Sequence, residues 1–401
     1  MDFSPDPDLE LLRQSVRRFV ATEIEPAVGD YERDGRFPRP IVEKMGAAGL
    51  FGAAFPGSLG GSAMGFQAVA AIAEELSRTR PEFGYAMNMQ AMTCPFTIFN
   101  WGSAEQAERF VPDLIAGRRL GMFALTEAGG GSDPAGAMQT RAARAGGGYR
   151  LNGAKMWITM ADVCDTGVIF AKTDPAAGHR GITAFVIEPG SAPGFRADPV
   201  SMSSLSPLFR SSAVFLDDVA VPAENRLGEE GEGFKIAMNA LDFGRLTVAA
   251  RLLGLAQGCL DHAVDYANRR VVGGRPIGRY QRVQQAIADM TVNGAAARLL
   301  VERLGWTMDR GLPMTRTAAH AKYFAQRAAK HAADSAAEIF GGYALADEYP
   351  IGRLAAYVNV LNVGEGTANV QRVLIAEDAL GIKDADRHPL RNRAGRDREA
   401  G

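Results

Sequence analysis

Apolar positions in the first 118 residues recur at spacings of three and four. Leu9, Leu12, Val16, Phe19 and Val20 make one such face, which predicts an amphipathic helix. The pattern returns over residues 66–77, after a glycine-rich stretch (46–65) that contains Pro56 and reads as a loop. Residues 86–100 are helical in pattern and unusually apolar, and their methionine and phenylalanine side chains read as core rather than as cofactor contacts. From about Leu120 to Val221 the texture changes to short β-rich runs, among them 168–171, 182–187 and 213–216, separated by Gly, Pro and Asn. Residues 149–151 and 154–158 flank Asn152-Gly153, which predicts a hairpin turn. Strands without intervening helices predict an antiparallel sheet or a small barrel. Beyond Phe234, long alanine-rich helical patterns cover 241–267, 281–309, 315–340 and 369–380, as expected of an antiparallel bundle. The predicted fold class is therefore α+β, mostly α. An N-terminal helical domain (1–119) precedes a middle antiparallel β domain (120–233) and a C-terminal helical bundle (234–386). The charged tail, 387–401, is expected to fray.

Composition narrows the function by exclusion. A chain of 401 residues exceeds one typical core, so two or three packed units are expected. Its 47% hydrophobic and 22% charged residues are ordinary for a globular protein. A formal net charge of −2, with arginines spread along the chain, leaves no footprint for nucleic acid or an anionic membrane. Cys94, Cys164 and Cys259 are too few and too scattered for a disulfide framework or a zinc site, and read as buried apolar thiols. The acidic start, Met1-Asp2-Phe3-Ser4-Pro5-Asp6, is neither a secretory signal nor a transit peptide, and no apolar run approaches the ~20 residues of a membrane span. A cytoplasmic location is expected.

Candidate chemistry lies in two segments. Val363-Gly364-Glu365-Gly366-Thr367-Ala368-Asn369-Val370-Gln371 sets one carboxylate between two glycines, ahead of a polar Thr-x-Asn-x-Gln series. Such a carboxylate can serve as a general base with backbone amides close to its target, or can simply sit solvated at a helix start where the dipole favours acids. The other segment, Ala124-Leu125-Thr126-Glu127-Ala128-Gly129-Gly130-Gly131-Ser132-Asp133, ends a predicted strand and opens a loop. Its glycines could form a nest of N–H groups for a phosphate, or a plain turn; it is not the dinucleotide fingerprint. About thirty residues on, Lys155-Met156-Trp157-Ile158-Thr159 places an indole and a hydroxyl at alternate strand positions, hence on one side of a sheet.

These segments, in this order and spacing, resemble the acyl-CoA dehydrogenase family. The likeness continues through Asp217-Asp218-Val219-Ala220-Val221-Pro222 with Gly228 and Gly231-Glu232-Gly233, then Leu241-Asp242 with Arg245. It extends to Arg270 with Gly274-Arg275-Pro276-Ile277 and Gln281, and to Glu365-Gly366-Thr367, spanning about residues 8–382. The resemblance implies an N-terminal helical domain, a middle β domain and a C-terminal four-helix bundle, assembled as a homotetramer with one FAD per subunit. The implied reaction is α,β-dehydrogenation of an acyl thioester, with Glu365 taking the α-proton and flavin N5 the β-hydride. It also implies an acyl-CoA substrate and electron-transfer flavoprotein, a quinone or O₂ as electron acceptor. Implied FAD contacts are Leu125, Thr126, Gly131, Ser132, Trp157, Thr159, Arg270, Gln281, Glu338, Gly341, Gly342, Thr367 and Asn369, with Arg270 and Gln281 reaching the cofactor of a neighbouring subunit. Implied substrate contacts are Ser132, Asp242, Arg245, Gly364, Glu365 and Gly366. In some branches of the family the base precedes the arginine of the Leu241-Asp242 helix; here that slot is Gly244.

The sequence departs from the family pattern at Met160 (usually Asn or Gly), Gly273 (usually Phe), Glu338 (usually Gln), Ala356-Tyr357 (usually Arg-Asp) and Gly364 (usually Tyr). Loss of a ring beside the base points to a branched or alicyclic acyl group, with Tyr357 as a candidate to refill part of the space. The segment 83–90 resembles that of glutaryl-CoA dehydrogenases, but their carboxylate-binding arginine falls on Gly84, which disfavours a dicarboxylic substrate while leaving Arg80 in reach. A flavin-dependent monooxygenase on the same scaffold, a dehydrogenase of a carrier-protein-bound acyl group and a non-catalytic flavoprotein are the competing readings.

Overall fold

The computed structural model describes residues 6–202, 205–387 and 391–395. The principal helices are α1 (Pro7–Phe19), α2 (Phe66–Thr79), α3 (Pro95–Trp101), α4 (Ala104–Ile115), α5 (Gly233–Arg269), α6 (Gln281–Asp309), α7 (Thr315–Phe340), α8 (Ile351–Val363) and α9 (Ala368–Ala379). The strands are β1 (Gly121–Ala124), β2 (Arg141–Ala145), β3 (Gly148–Thr159), β4 (Thr166–Lys172), β5 (Ile182–Ile187), β6 (Phe195–Pro199), β7 (Ser211–Pro222), β8 (Arg226–Leu227), β9 (Val271–Val272) and β10 (Arg275–Pro276). By their internal contacts the described residues form two compact units, one within 6–25, 66–84 and 245–387, the other within 26–65, 85–202, 205–244 and 391–395.

The first unit is helical. Asp6 starts α1 by accepting the amides of Asp8 and Leu9 at 2.9 and 3.4 Å, with Pro7 at the first helical position, where its missing N–H costs nothing. The N-terminus of α2 is capped from a distance: Asp309, ending α6, accepts from the amides of Phe66 and Gln67 at 2.8 and 3.2 Å. Helix α5 crosses α2 closely because Gly254 and Gly258 offer no side chain; a Cβ on either would come within 2.2 Å of Glu74 O or Arg78 O. Glu74 and Glu75, both buried, are neutralised by Arg13, Arg17 and Arg298, with Arg17 gripping Glu75 through two 2.7 Å bonds. Helices α6 and α7 coincide with the predicted 281–309 and 315–340.

The second unit holds the sheet. Its strand order is β6-β7-β3-β2-β4-β5-β8, with β1 also on β4. Most pairs are antiparallel, but β1 and β2 both meet β4 in parallel, which makes the sheet mixed. The predicted hairpin at Asn152-Gly153 is not a turn. Strand β3 runs straight through it, and the chain reverses at Gly146 and Gly147, both at positive φ. Asn152 stands opposite a bulge in β7, where Asp217 and Asp218, the latter at φ 52°, face it alone: Asn152 Oδ1 accepts from Asp218 N at 2.9 Å, and Gly153, at φ 148°, passes so near Thr140 that a Cβ would lie 2.6 Å from its Cα. The apolar stretch at 86–100 is broken by an irregular turn over Asn88–Thr93, and Met87, Met92, Phe96 and Phe99 are core, as expected. All three cysteines are free and buried. Part of the tail expected to fray lies outside the described residues. Within it, Arg391–Gly395 dock on α3: Asn100 Nδ2 donates to Arg391 O at 2.6 Å, and Arg393 N donates to Asn100 Oδ1 at 2.8 Å. Among the described residues no helix is long and apolar enough to cross a membrane.

Candidate active site

The turn that joins α8 to α9 is the most constrained backbone among the candidate site residues. Helix α8 ends at Gly364, Glu365 is left-handed at φ 54°, and Gly366 follows at φ 92°. A non-glycine residue in that region costs roughly 1–2 kcal/mol and persists where surrounding contacts over-determine it. Here three side chains hold three successive carbonyls. Lys322 on α7 donates through Nζ to both Gly364 O and Gly366 O. Arg245 on α5 donates through Nε to Glu365 O at 3.3 Å, and Gln371 on α9 through Nε2 to Gly366 O at 3.2 Å. Lys322 and Gln371 are fully buried and Arg245 nearly so, whereas Glu365 is half-buried and Gly364 exposed. Burial, with Arg245 acting in the same sense, pulls the Lys322 ammonium down to about 7, against the opposing pull of Glu365. Thr367 caps α9 through its hydroxyl, which accepts from Val370 N at 3.4 Å. A Cβ added at Gly364 would meet nothing within 4 Å, so Tyr357, itself buried in α8, does not refill the space beside the base.

A second group lines a groove of about 620 Å³ in the same unit. Arg270, Glu338, Gly341 and Gly342 share it with Tyr266, Phe340 and Tyr343. The Tyr266 and Phe340 rings stack at 4.1 Å, and the Arg270 guanidinium lies 5.7 Å from the Tyr343 ring. Neither glycine has an atom within 4 Å of a Cβ position, so bare backbone faces open space there. Gln281 and Asn369 are exposed and do not line this groove; Asn369 accepts from Arg372 at 2.7 Å. At Gly273, φ is 60°, and a Cβ would fall 2.7 Å from the Tyr280 hydroxyl, which accounts for glycine in place of a ring.

The third group belongs to the sheet unit. The loop after β1 is fastened by a buried ion pair: Lys155 Nζ lies 2.9 Å from Glu127 Oε1 and donates to Leu125 O at 3.2 Å. Glu127 also accepts from Gln139 N at 2.6 Å, from Thr140 N at 3.0 Å and from the Thr140 hydroxyl. Burial opposes ionisation of Glu127, yet Lys155 and these donors hold its pKa below the usual carboxylate value. Burial draws Lys155 down to about 8. Thr126 O accepts from Met156 N at 2.9 Å, which sets the loop beside Trp157. The β3–β7 ladder slips between Lys155 and Ile158, Trp157 turns left-handed at φ 64°, and its indole is 53% exposed. Thr159 is half-buried; Gly131 and Ser132 are exposed. Met160 also takes positive φ, 62°, the conformation that Asn or Gly adopts most readily. Asp242, one turn before Arg245 on α5, is buried.

Sequence reasoning missed Lys322 altogether, and gave no role to Gln371 or to the Glu127–Lys155 pair. Lys322 had a signal: it is the one lysine in the run Ala318, Lys322, Ala325, Ala329 along a buried helical face. The Arg80 left in reach of a substrate carboxylate is engaged by Glu25, at 2.9 and 2.6 Å, and by Glu82 at 3.4 Å. At Gly84, an added Cβ would lie 2.3 Å from Arg251 Nε and 2.8 Å from Ser77 Oγ; Arg251, fully buried, fills that space from α5.

A helical unit, a unit that carries the sheet, a glycine-flanked glutamate held at a strained turn and relatives named acyl-CoA dehydrogenases together mark an oxidoreductase acting on a CH–CH bond. The chain matches models of the acyl-CoA dehydrogenase N-terminal domain over residues 6–118, the middle domain over 122–219 and the C-terminal domain over 231–380. It belongs to the acyl-CoA dehydrogenase family, whose members are flavoproteins. It is 38% identical to a glutaryl-CoA dehydrogenase of Desulfococcus multivorans over 96% of this chain and 100% of that one. It is 37% identical to the caffeyl-CoA reductase-Etf complex subunit CarC of Acetobacterium woodii over 92% and 97%. A solved glutaryl-coenzyme A dehydrogenase in complex with glutaryl-CoA superposes with a TM-score of 0.93 at 37% identity, over 97% of this chain and 99% of that one.

Proposed function

We propose that this protein dehydrogenates an acyl-CoA thioester between Cα and Cβ, with Glu365 as the base for the α-proton. The observation that carries the reading is the Glu365 turn, a carboxylate set in left-handed backbone with its carbonyls fastened to three buried side chains. A thioester α-proton is a weak acid, so removal needs a base close to the carbon and a donor for the developing enolate oxygen. In this reading the Glu365 backbone N–H is that donor and its carboxylate takes the proton, while Arg245 orients the turn and lies toward the substrate.

The residues fit FAD. Arg270 offers a cation and Gly341-Gly342 bare backbone for a diphosphate, and the exposed Trp157 indole offers a flat apolar face. Leu125, Thr126, Gly131, Ser132 and Thr159 would hold it with Trp157, and Arg270 and Gln281 would reach the FAD of a neighbouring subunit; Glu338, Gly341, Gly342, Thr367 and Asn369 are the remaining proposed contacts. When bound, FAD supplies the acceptor for the β-hydride.

The open space at Gly364 supports a branched or alicyclic acyl group. A dicarboxylic acyl group is the second reading, favoured by the buried Arg251 guanidinium in the space that Gly84 leaves. Val292, Leu299 and Trp306 form an exposed apolar stripe at intervals of seven on α6, which supports self-association, in this reading to a homotetramer. The likeness to a subunit of the caffeyl-CoA reductase-Etf complex of Acetobacterium woodii supports electron-transfer flavoprotein as the electron acceptor. The test is anaerobic titration with linear, branched, cyclic and dicarboxylic acyl-CoAs, following flavin bleaching. Glu365→Gln should slow the bleaching by about 10²–10⁴-fold, and bleaching at the parent rate would refute the reading.

A further inference from the structure

The base turn has a feature that the reaction does not by itself demand: a fully buried lysine beneath it. Lys322 Nζ reaches Gly364 O and Gly366 O, the carbonyls on either side of Glu365. Both bonds are part-buried, and two carbonyls that converge on one point can share a single amine. An ammonium and a neutral amine both carry the two N–H bonds required, so the arrangement survives the depressed basicity that burial imposes. The other two holders differ in kind. Gln371 sits on α9, only five and six residues beyond the carbonyls it binds, and so moves with the turn. Arg245 binds the middle carbonyl, Glu365 O. Lys322 stands on α7, on a face packed with Ala318, Ala321, Ala325 and Ala329, so its anchorage belongs to the interior of the bundle.

We propose that Lys322 is the positioning residue of the catalytic base: by tying the carbonyls on both flanks of Glu365 to one buried amine, it fixes the left-handed backbone from which that carboxylate reaches the α-carbon. The proposal rests on the reading of Glu365 as the base. Fully buried beneath the turn, Lys322 acts through Glu365.

The test uses Lys322→Met, which keeps the stem and deletes the donor, together with Lys322→Gln, Glu365→Gln and the double variant Lys322→Met/Glu365→Gln, each as the purified flavoprotein. The probe is 3,3-dimethylbutanoyl-CoA, which has α-hydrogens and no β-hydrogen. Deuterium incorporation from D₂O at its α-carbon therefore reports proton abstraction without oxidation. Expected results are that Lys322→Met binds the thioester as the parent does and exchanges the α-hydrogen about 100-fold more slowly. Amide exchange over residues 364–367 should be faster, Lys322→Gln should restore part of the rate, and the double variant should be no slower than Glu365→Gln. Lys322→Met exchanging at the parent rate while Glu365→Gln does not would overturn the proposal and leave the base assignment standing. Full additivity in the double variant, or affinity falling as far as exchange, would also overturn it. Failure of both Lys322 variants to give a folded flavoprotein would assign Lys322 to stability alone and overturn it too. Parental exchange by Glu365→Gln would remove the base assignment itself.

Discussion

Lys155→Met isolates the buried pair that fastens the loop after β1. Methionine keeps the length of the stem, so the perturbation is the loss of a charge at a site 1% exposed. Removing one partner of a buried ion pair costs about 3–5 kcal/mol, because the remaining charge is stranded. Glu127 keeps two backbone amides and the Thr140 hydroxyl as donors, which places the cost at the lower end, about 3 kcal/mol. Glu127→Gln alone should cost about as much, since it leaves the Lys155 ammonium buried with only Leu125 O and an amide oxygen nearby. In the double variant neither charge remains. What persists is the glutamine NH₂ directed at a donor, worth about 1–3 kcal/mol. The double variant should therefore lose about 2 kcal/mol rather than the sum of about 6, a coupling of about 4 kcal/mol. The assay is urea denaturation of the four proteins of the cycle, followed by tryptophan fluorescence, to which Trp101 and Trp157 of this unit contribute. A Lys155→Met protein within about 1 kcal/mol of the parent, or costs that add, would refute the reasoning.

Gly254→Ala sets helix propensity, a gain of about 1 kcal/mol, against a Cβ 2.2 Å from Glu74 O, where overpacking costs about 1–3 kcal/mol or more. At that distance the clash wins, and the denaturation midpoint should fall; a rise would show that α2 and α5 separate freely. Burial pushes the Cys94 and Cys259 thiols up to about 12 and Cys164 higher still, so a disulfide reagent at pH 8 should find none of the three in the native protein and all three in urea. Lys322 is drawn from 10.5 to about 7 in the fold, so between those values the unfolded chain binds a proton that the native state does not. Native stability is burdened below pH 7, and the burden is released as pH rises toward 10.5. The stability of the parent relative to Lys322→Met, measured at pH 6.5, 8 and 9.5, should therefore increase with pH, and a flat or falling difference would contradict the assignment.

The long helices could be read from the chain because each carries a sustained period of its own; α6 and α7 begin and end where alanine-rich patterning begins and ends. The sheet was legible as strands but not as pairings. Asn152-Gly153, opposite a bulge in β7, imitates a hairpin turn because it too carries a glycine at positive φ, and what separates the two is Thr140 passing alongside, a contact invisible in local sequence. The two parallel pairings to β4 are likewise long-range. At the candidate site, Glu365, Arg270 and Trp157 stood out by their neighbours in the chain. The side chains that restrain them did not, because Lys322 lies in an alanine helix and Lys155 in a strand where a charge ordinarily marks a solvated face.

The docked stretch near the end of the chain makes the length of the protein a structural parameter. Asn100 is core, and its amide oxygen is satisfied by an amide 293 positions away in sequence. A version cut short before Arg391 would leave that oxygen buried and bare, an error introduced at one extremity and registered in the interior.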